Sequence, residues 1–266
     1  MSDRVVRLTV AYDGTDFNGW QRQTGARSVQ EAIEKALQTM HGHPVPVTGA
    51  GRADSGVHAT GQVADFTTDI ASIPVDRFVP ALNRLLPSDV RILEAEQAWD
   101  GFSARFDARL RRYKYYINYG SLQLPHLDRY AWRLFRKPDI RRLNRMASYL
   151  RGELDCTTFA AAGDPGVSMN RYLHNAVFYA EGNALVFEIA ANAFLWKMVR
   201  SITGTLVELD AAGAPPEAMR DALLARDRSM AGTTAPARGL FLWNVEYYPQ
   251  GGRPPEPALY DRQKDG

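Results

Sequence analysis

The stretch that most constrains this chain is Gly49-Ala50-Gly51-Arg52-Ala53-Asp54-Ser55-Gly56-Val57-His58-Ala59-Thr60-Gly61-Gln62. Glycines 49, 51 and 56 bracket a single carboxylate, and glycine accepts backbone conformations and close approaches that a Cβ resists. The spacing predicts a tight loop carrying Asp54. Gln62-Val63-Ala64-Asp65-Phe66-Thr67 then takes up strand chemistry, so the loop feeds a sheet, and loops on a rigid scaffold are where chemistry concentrates. Two phosphate-binding readings fail here. A dinucleotide fingerprint needs a third glycine where Asp54 stands and a helix after it, whereas a P-loop needs Lys and Ser/Thr where Val57 and His58 stand. The plain alternative is an Asx turn, in which the carboxylate caps its own backbone.

The pattern on either side of the loop sets the fold class. Residues 4–12 alternate in polarity and predict a strand that ends at the Asp13-Gly14 turn. Ser28 and Glu31 form a capping box ahead of Val29, Ile33, Ala36, Leu37 and Met40 at helical spacing, and Gly42 and Pro44 stop that helix. Pro74 opens a second helix with Val75, Phe78, Leu82 and Leu85 on one stripe, closed by Pro87, and residues 90–98 read as strand. The pattern then begins again. Residues 110–119 predict a strand with one polar and one aromatic face, 138–151 a helix closed by Gly152, and 172–180 with 184–190 a hairpin turning at Gly182-Asn183. Phe194, Met198, Ile202 and Leu206 step by four and predict a helix over 194–209 packed into a core. A short helix at 216–226 and a strand at 240–248 complete an α+β chain with helices layered on a sheet, without a residue-level repeat. Residues 249–266, rich in Pro and Gly, have nothing to bury and are expected to form a disordered tail.

Charge adds a second constraint. The net charge is only +2, but thirteen Lys/Arg stand against three acids between Arg105 and Arg151. Tyr113, Tyr115, Tyr116, Tyr119, Tyr130 and Trp132 are interleaved with them. Cations beside stacking surfaces suit a phosphate-bearing polymer with accessible bases, and the alternative is a solvated helix face above core aromatics. No apolar run approaches the roughly 20 residues of a membrane span, and 1–4 lead directly into strand, so a cytoplasmic protein is expected. The single cysteine, Cys156, is expected to be a buried thiol. His41 and His43 read as a helix-end pair and not a metal site.

The loop resembles the active-site motif of the tRNA pseudouridine synthase A family, with Ala53 and Ser55 as the two departures beside the aspartate. Tyr12-Asp13-Gly14-Thr15-Asp16-Phe17-Asn18-Gly19-Trp20-Gln21, Phe102-Ser103-Ala104-Arg105-Phe106, Arg112-Tyr113-Lys114-Tyr115, Ala191-Asn192-Ala193-Phe194-Leu195 with Met198-Val199-Arg200, and Ala235-Pro236 with Gly239-Leu240 extend it over about residues 4–248. The resemblance implies two similar α+β halves, each a mostly antiparallel sheet with helices on one face, meeting at a central cleft. It divides the chain into 1–107 with the catalytic loop, 108–248 with the basic segment, and the 249–266 tail. It further implies isomerisation of uridine to pseudouridine at positions 38–40 of the tRNA anticodon stem-loop, by a homodimer needing no metal or cofactor. Asp54 takes the nucleophile's place, Arg52 braces the space of the flipped base, Tyr113 packs on the substrate, and Arg200 pairs with the nucleophile. His58 and Gln62, in the same motif, are candidate substrate-binding residues. Arg112 and Lys114 point to the strand face opposite Tyr113 and receive no catalytic part.

Two other classes compete. A non-catalytic RNA-binding protein of two α+β halves would use the same cations and aromatics, but gains nothing from a carboxylate in a basic cleft. A glycosidase-like enzyme would want a second carboxylate facing the first, which nothing near the loop supplies.

Overall fold

The computed structural model describes residues 3–120, 125–163 and 168–248 of the 266-residue chain. The tail expected at 249–266 lies outside the described residues. In β1 (Arg4–Tyr12) Val6, Leu8 and Val10 turn to the core, the period-two pattern of a strand buried on one face. Helix α1 (Val29–His41) opens where Ser28 accepts the Glu31 N–H and closes at Gly42, whose left-handed backbone (φ 76°) lets its N–H reach Gln38 O. The chain then runs through β2 (Thr48–Gly49), the Asp54 loop and β3 (His58–Thr68). A 3-10 turn at Val75–Arg77 precedes α2 (Phe78–Leu85), and β4 (Val90–Gln97) ends this part.

After it come β5 (Ala108–Tyr119), β6 (Trp132–Leu134), α3 (Ile140–Ala147), β7 (Gly152–Asp155), β8 (Asn170–Glu181) and β9 (Ala184–Ala191). Helices α4 (Met198–Ala211) and α5 (Glu217–Ala225) and strand β10 (Leu240–Tyr247) finish the described chain. All strands join one sheet in the order β4-β1-β3-β10-β5-β9-β8-β7, with β2 on β3 and β6 on β5. The pairs are antiparallel except β5–β6 and β3–β10, so the α+β sheet is mixed and mostly antiparallel. The β3–β10 junction covers two register positions, Phe241 opposite His58 and Leu242 opposite Ala59. It stitches the strands of the first 107 residues to those of the rest.

Directly paired residues share a face, so Leu242 on β10, Tyr113 on β5 and Ile189 on β9 lie on one side of the sheet. That side carries two cores. One gathers Leu8, Ile33, Phe66, Phe78 and Leu242; the other gathers Tyr115, Phe159, Phe187, Ile202 and Leu206. Ala53 and Tyr113 pack against both, which puts the loop and the aromatic strand at the junction of the two. The opposite face carries a small cluster of Val63, Phe102 and Ala104 and is otherwise more polar, with Arg112 on Glu188 (2.6 Å), Lys114 on Glu181 (3.0 Å) and Arg7 on Glu96. Arg112 and Lys114 thus face away from Tyr113, as the strand period requires.

Element ends differ from the sequence reading in two places that matter. The helix expected over 138–151 spans only Ile140–Ala147, because Asp139 caps it through the Arg141 and Arg142 N–H groups and 3-10 bonds tighten the chain at Tyr149 and Leu150. Gly152 (φ 89°) opens β7 instead of closing that helix. The helix expected from Phe194 starts at Met198, since Lys197 adopts a left-handed backbone (φ 59°) that no helix propagates through. Residues 194–197 are therefore a loop. Cys156 is buried, and that burial pushes its thiol up to about 12.

Helix α4 passes so close to the irregular 233–235 segment that a Cβ on Gly204 would collide with the Thr233 carbonyl. Backbone cannot yield as a side chain does, so overpacking of this kind costs roughly 1–3 kcal/mol. Gly204→Ala should accordingly lower the unfolding free energy by that amount, seen as a lower urea midpoint at unchanged slope. A midpoint equal to that of the parent protein would show that the segment is free to move.

Candidate active site

The loop is built around close backbone approaches. A side chain on Gly49 would overlap the Trp20 indole, which is itself buried, so this position tolerates only glycine. Backbone bonds then pin the loop: Trp20 N–H to Ala53 O (3.1 Å), Ala50 N–H to Val63 O (2.8 Å) and Gly56 N–H to Phe17 O (3.3 Å). The last bond removes the Asx-turn reading, because the N–H that an Asx turn would offer Asp54 goes elsewhere.

The carboxylate of Asp54 is instead held from across the molecule. Arg200, in the first turn of α4, donates Nη1–H to Oδ2 at 2.9 Å, and Trp196 donates its indole N–H to Oδ1 at 2.9 Å. Both side chains of the ion pair are only 15% exposed. Arg200 is fixed in turn, its Nε–H reaching Ala235 O at 2.8 Å. An ion pair removed from water is tolerated when further hydrogen bonds satisfy its members, and that condition holds here.

Tyr113 stands beside this pair on β5, its ring edge-on to Phe194 with centroids 5.1 Å apart. Burial, together with the negative charge of Asp54 and against the pull of Arg111, pushes its hydroxyl up to about 12. It is a phenol and a proton donor at neutral pH. Arg52 is exposed and forms no hydrogen bond or ion pair among the described residues. Asp54, Tyr113 and Arg200 are therefore brought together, with Arg52 on the loop beside them facing solvent.

His58 and Gln62 are placed differently. Both are fully buried. Gln62 donates Nε2–H to Gly51 O at 2.8 Å, and His58 Nδ1 receives the Gly14 N–H at 3.0 Å with Asp13 Oδ1 at 3.2 Å. The His58 ring also stacks on Phe241 at 4.6 Å. Gln62 thus holds the Asp54 loop through Gly51, whereas His58 holds the Asp13-Gly14 turn that packs against Val57.

Two residues that matter to the site escaped the sequence reading. Arg111, counted only as one of thirteen cations, donates to the carbonyls of Ala50 (3.0 Å), Arg105 (2.6 Å), Ala108 (3.1 Å) and Asn192 (2.6 Å). It ties the loop to the chain before β5 and to the turn after β9. Trp196 lay within a predicted helix, where nothing marked it as a partner of Asp54. The basic segment is also less available than its composition suggests. Arg112, Lys114, Arg129 and Arg142 are paired with acids, and Arg136 donates to Ala211 O. Lys137, Arg141, Arg145 and Arg151 remain exposed without an ion pair among the described residues.

The arrangement is that of a mixed-sheet α+β protein with a carboxylate-centred site at the junction of two cores. A family model described as tRNA pseudouridine synthase matches residues 8–107 and 146–248. The chain is 51% identical over 251 residues to a Treponema denticola protein named tRNA pseudouridine synthase A, covering 92% of this chain and 94% of that one. Proteins of the same name from Treponema pallidum (44% over 234 residues, 86% and 84% covered) and Brachyspira hyodysenteriae (42% over 238 residues, 89% and 95% covered) are similar too. The chain belongs to the tRNA pseudouridine synthase family.

The buried His58 generates a pH test. Burial holds its ring below the ordinary value of 6.5, against the attraction of Asp13. Below that value the unfolded chain takes up a proton that the folded one refuses, so this group favours unfolding as pH falls. His58→Gln lacks the effect. The stability difference between parent and variant, from urea melts, should shrink between pH 7.5 and pH 5; a constant difference would mean that the folded ring titrates normally.

Proposed function

We propose that this protein isomerises uridine to pseudouridine in the anticodon stem-loop of tRNA, at positions 38–40, with Asp54 as the nucleophile. The observation that carries the reading is the Asp54–Arg200 pair: a carboxylate only 15% exposed, held at 2.9 Å by a tethered arginine. The reaction breaks the bond between ribose C1′ and uracil N1 and forms one between C1′ and C5. One proton leaves C5 and one is gained at N1, so no electrons or groups are exchanged with another molecule. The chemistry needs a nucleophile that holds the ring or sugar while the base turns, and a carboxylate does so covalently. Metal and cofactor have no step to perform in this scheme.

The remaining residues divide the work. Arg52, exposed on the loop, fills the stack left by the flipped base, whose extrusion costs a few kcal/mol. Tyr113 stacks on the uracil and, as a phenol, is suited to deliver a proton. His58 and Gln62 act as positioning residues through the loop. Lys137, Arg141, Arg145 and Arg151 are exposed cations of the basic segment left to meet phosphate. We take residues 1–107 as the half bearing the catalytic loop, 108–248 as the half bearing the arginine and tyrosine, and a cytoplasmic homodimer as the working form, in line with the resemblance.

Asp54→Asn is the main test, measured by conversion of uridine in a tRNA transcript with EDTA present and no cofactor. The amide keeps the shape and loses the charge and nucleophilicity, so conversion should fall below detection while tRNA binding persists, since one negative charge leaves a cleft that meets phosphate. Substantial conversion by the variant would remove Asp54 from the chemistry. Tyr113→Phe separates stacking from proton transfer: KM should hold while kcat drops roughly a hundredfold or more. Normal turnover would leave Tyr113 a packing role alone.

A further inference from the structure

The second oxygen of Asp54 is occupied by a residue that the chemistry has not yet used. Trp196 Nε1–H meets Oδ1 at 2.9 Å while Arg200 meets Oδ2 at the same distance. The two donors are not equivalent. Arg200 is 15% exposed and anchored by Ala235 O, so it belongs to the fixed interior. Trp196 is 44% exposed, sits on the loop that precedes α4, and carries the Lys197 ammonium 4.5 Å from its ring. The left-handed Lys197 (φ 59°) is the turn that aims Trp196 and Arg200 at one carboxylate from four residues apart.

The indole is thus the outer cover of a carboxylate whose inner side is closed by Arg200. Among the described residues the Asp54 carboxylate accepts no third hydrogen bond, with the Tyr113 hydroxyl close enough to feel its charge. A reactant that attacks or is attacked by Asp54 has to arrive from the solvent side, which is where the indole lies, and an oxygen lone pair engaged by an N–H is a weaker donor of electrons. Both considerations oppose a Trp196 that stays in place. Tryptophan suits the alternative, since it is a donor only and has a large flat ring able to stack on a base once released.

We propose that Trp196 is a resident stand-in for the target nucleotide: its indole N–H holds Oδ1 of Asp54 in the free enzyme, and the incoming uridine displaces it, leaving the ring to stack on the RNA. This rests on the reading of Asp54 as nucleophile, and makes Trp196 a positioning residue that guards the carboxylate until substrate arrives. The Ala161 N–H bond to Trp196 O (3.0 Å) fixes the backbone, so the movement is a side-chain rotation and needs no opening of the loop.

The test compares the full-length protein, Trp196→Phe and Asp54→Asn on one tRNA transcript. Phenylalanine keeps a ring for stacking but has no N–H to displace, so KM should fall several-fold, with kcat changing less than KM. In the parent protein, tryptophan emission should change on tRNA binding, and a component of that change should be missing from Trp196→Phe. Asp54→Asn reports on the underlying reading independently: if it still converts uridine, the nucleophile assignment is wrong whatever Trp196 does. If Asp54→Asn is inactive but Trp196→Phe loses kcat at constant KM, the indole remains on Asp54 through the reaction and displacement is overturned. An identical emission change in parent and Trp196→Phe would overturn it as well.

Discussion

The ion pair between Asp54 and Arg200 is the constraint to which the rest of the structure answers. Its members are 146 residues apart, one on a loop ahead of β3 and the other in the first turn of α4. A carboxylate so little exposed is costly unless a cation and further donors satisfy it, so the site is sound only when both parts of the chain are in place. Each arm is therefore tied to backbone. Gln62 and the Trp20 N–H hold the loop, Ala235 O holds the arginine, and Arg111 links the loop to the turn after β9. Removing any tie lets one charge drift from the other, and the remaining charge is left buried without its partner.

How far the sequence discloses this arrangement depends on the range of the interaction. The loop is legible because its cause is local: glycines beside Asp54 and the alternating run of β3 follow from neighbours in sequence. Helix α1 is legible for the same reason, with Ser28 and Gly42 at its two ends. Arg200 is accessible only through resemblance, since nothing in a helical run singles out one arginine. Arg111 and Trp196 are not legible at all. The partners that tie them to the site, Ala50 and Asn192 for Arg111 and Asp54 for Trp196, lie 61, 81 and 142 residues away, and alternation along β5 says which face Arg111 occupies but not that four carbonyls converge there. The displaced start of α4 has a similar origin. Apolar spacing continues back to Phe194, yet tertiary demand on Trp196 and Arg200 imposes a left-handed Lys197 that propensity disfavours.

Charge tells a related story. Composition counts thirteen cations in one segment, whereas folding removes several of them from view by pairing them with acids on the polar sheet face and around α3. Exposed pairs of this sort contribute only about 0–1 kcal/mol each. Their larger effect is on the electrostatic field, which they cancel locally. What remains exposed without an ion pair from that segment, among the described residues, is Lys137 ahead of α3, Arg141 and Arg145 on it and Arg151 after it, with Arg52 at the loop, a sparse set that favours phosphates at defined places over a uniformly basic surface.

Chain order and spatial order diverge most at β10. It is the last strand described, yet it lies in the interior of the sheet, between β3 and β5. Leu242 stands opposite both Ala59 and Tyr113, so this strand joins the end of the catalytic loop to the tyrosine beside it. The segment just before β10 supplies Ala235, whose carbonyl fixes Arg200 and whose N–H returns to Arg200 O at 3.1 Å. Contacts of such sequence separation carry a loop-closure cost that the assembled sheet has to offset. The two cores each gather their own helices, but neither contains a complete site. Placed between β3 and β5, β10 holds the loop, the tyrosine and the arginine's anchor in one register, and the carboxylate meets its cation only where all three are in place.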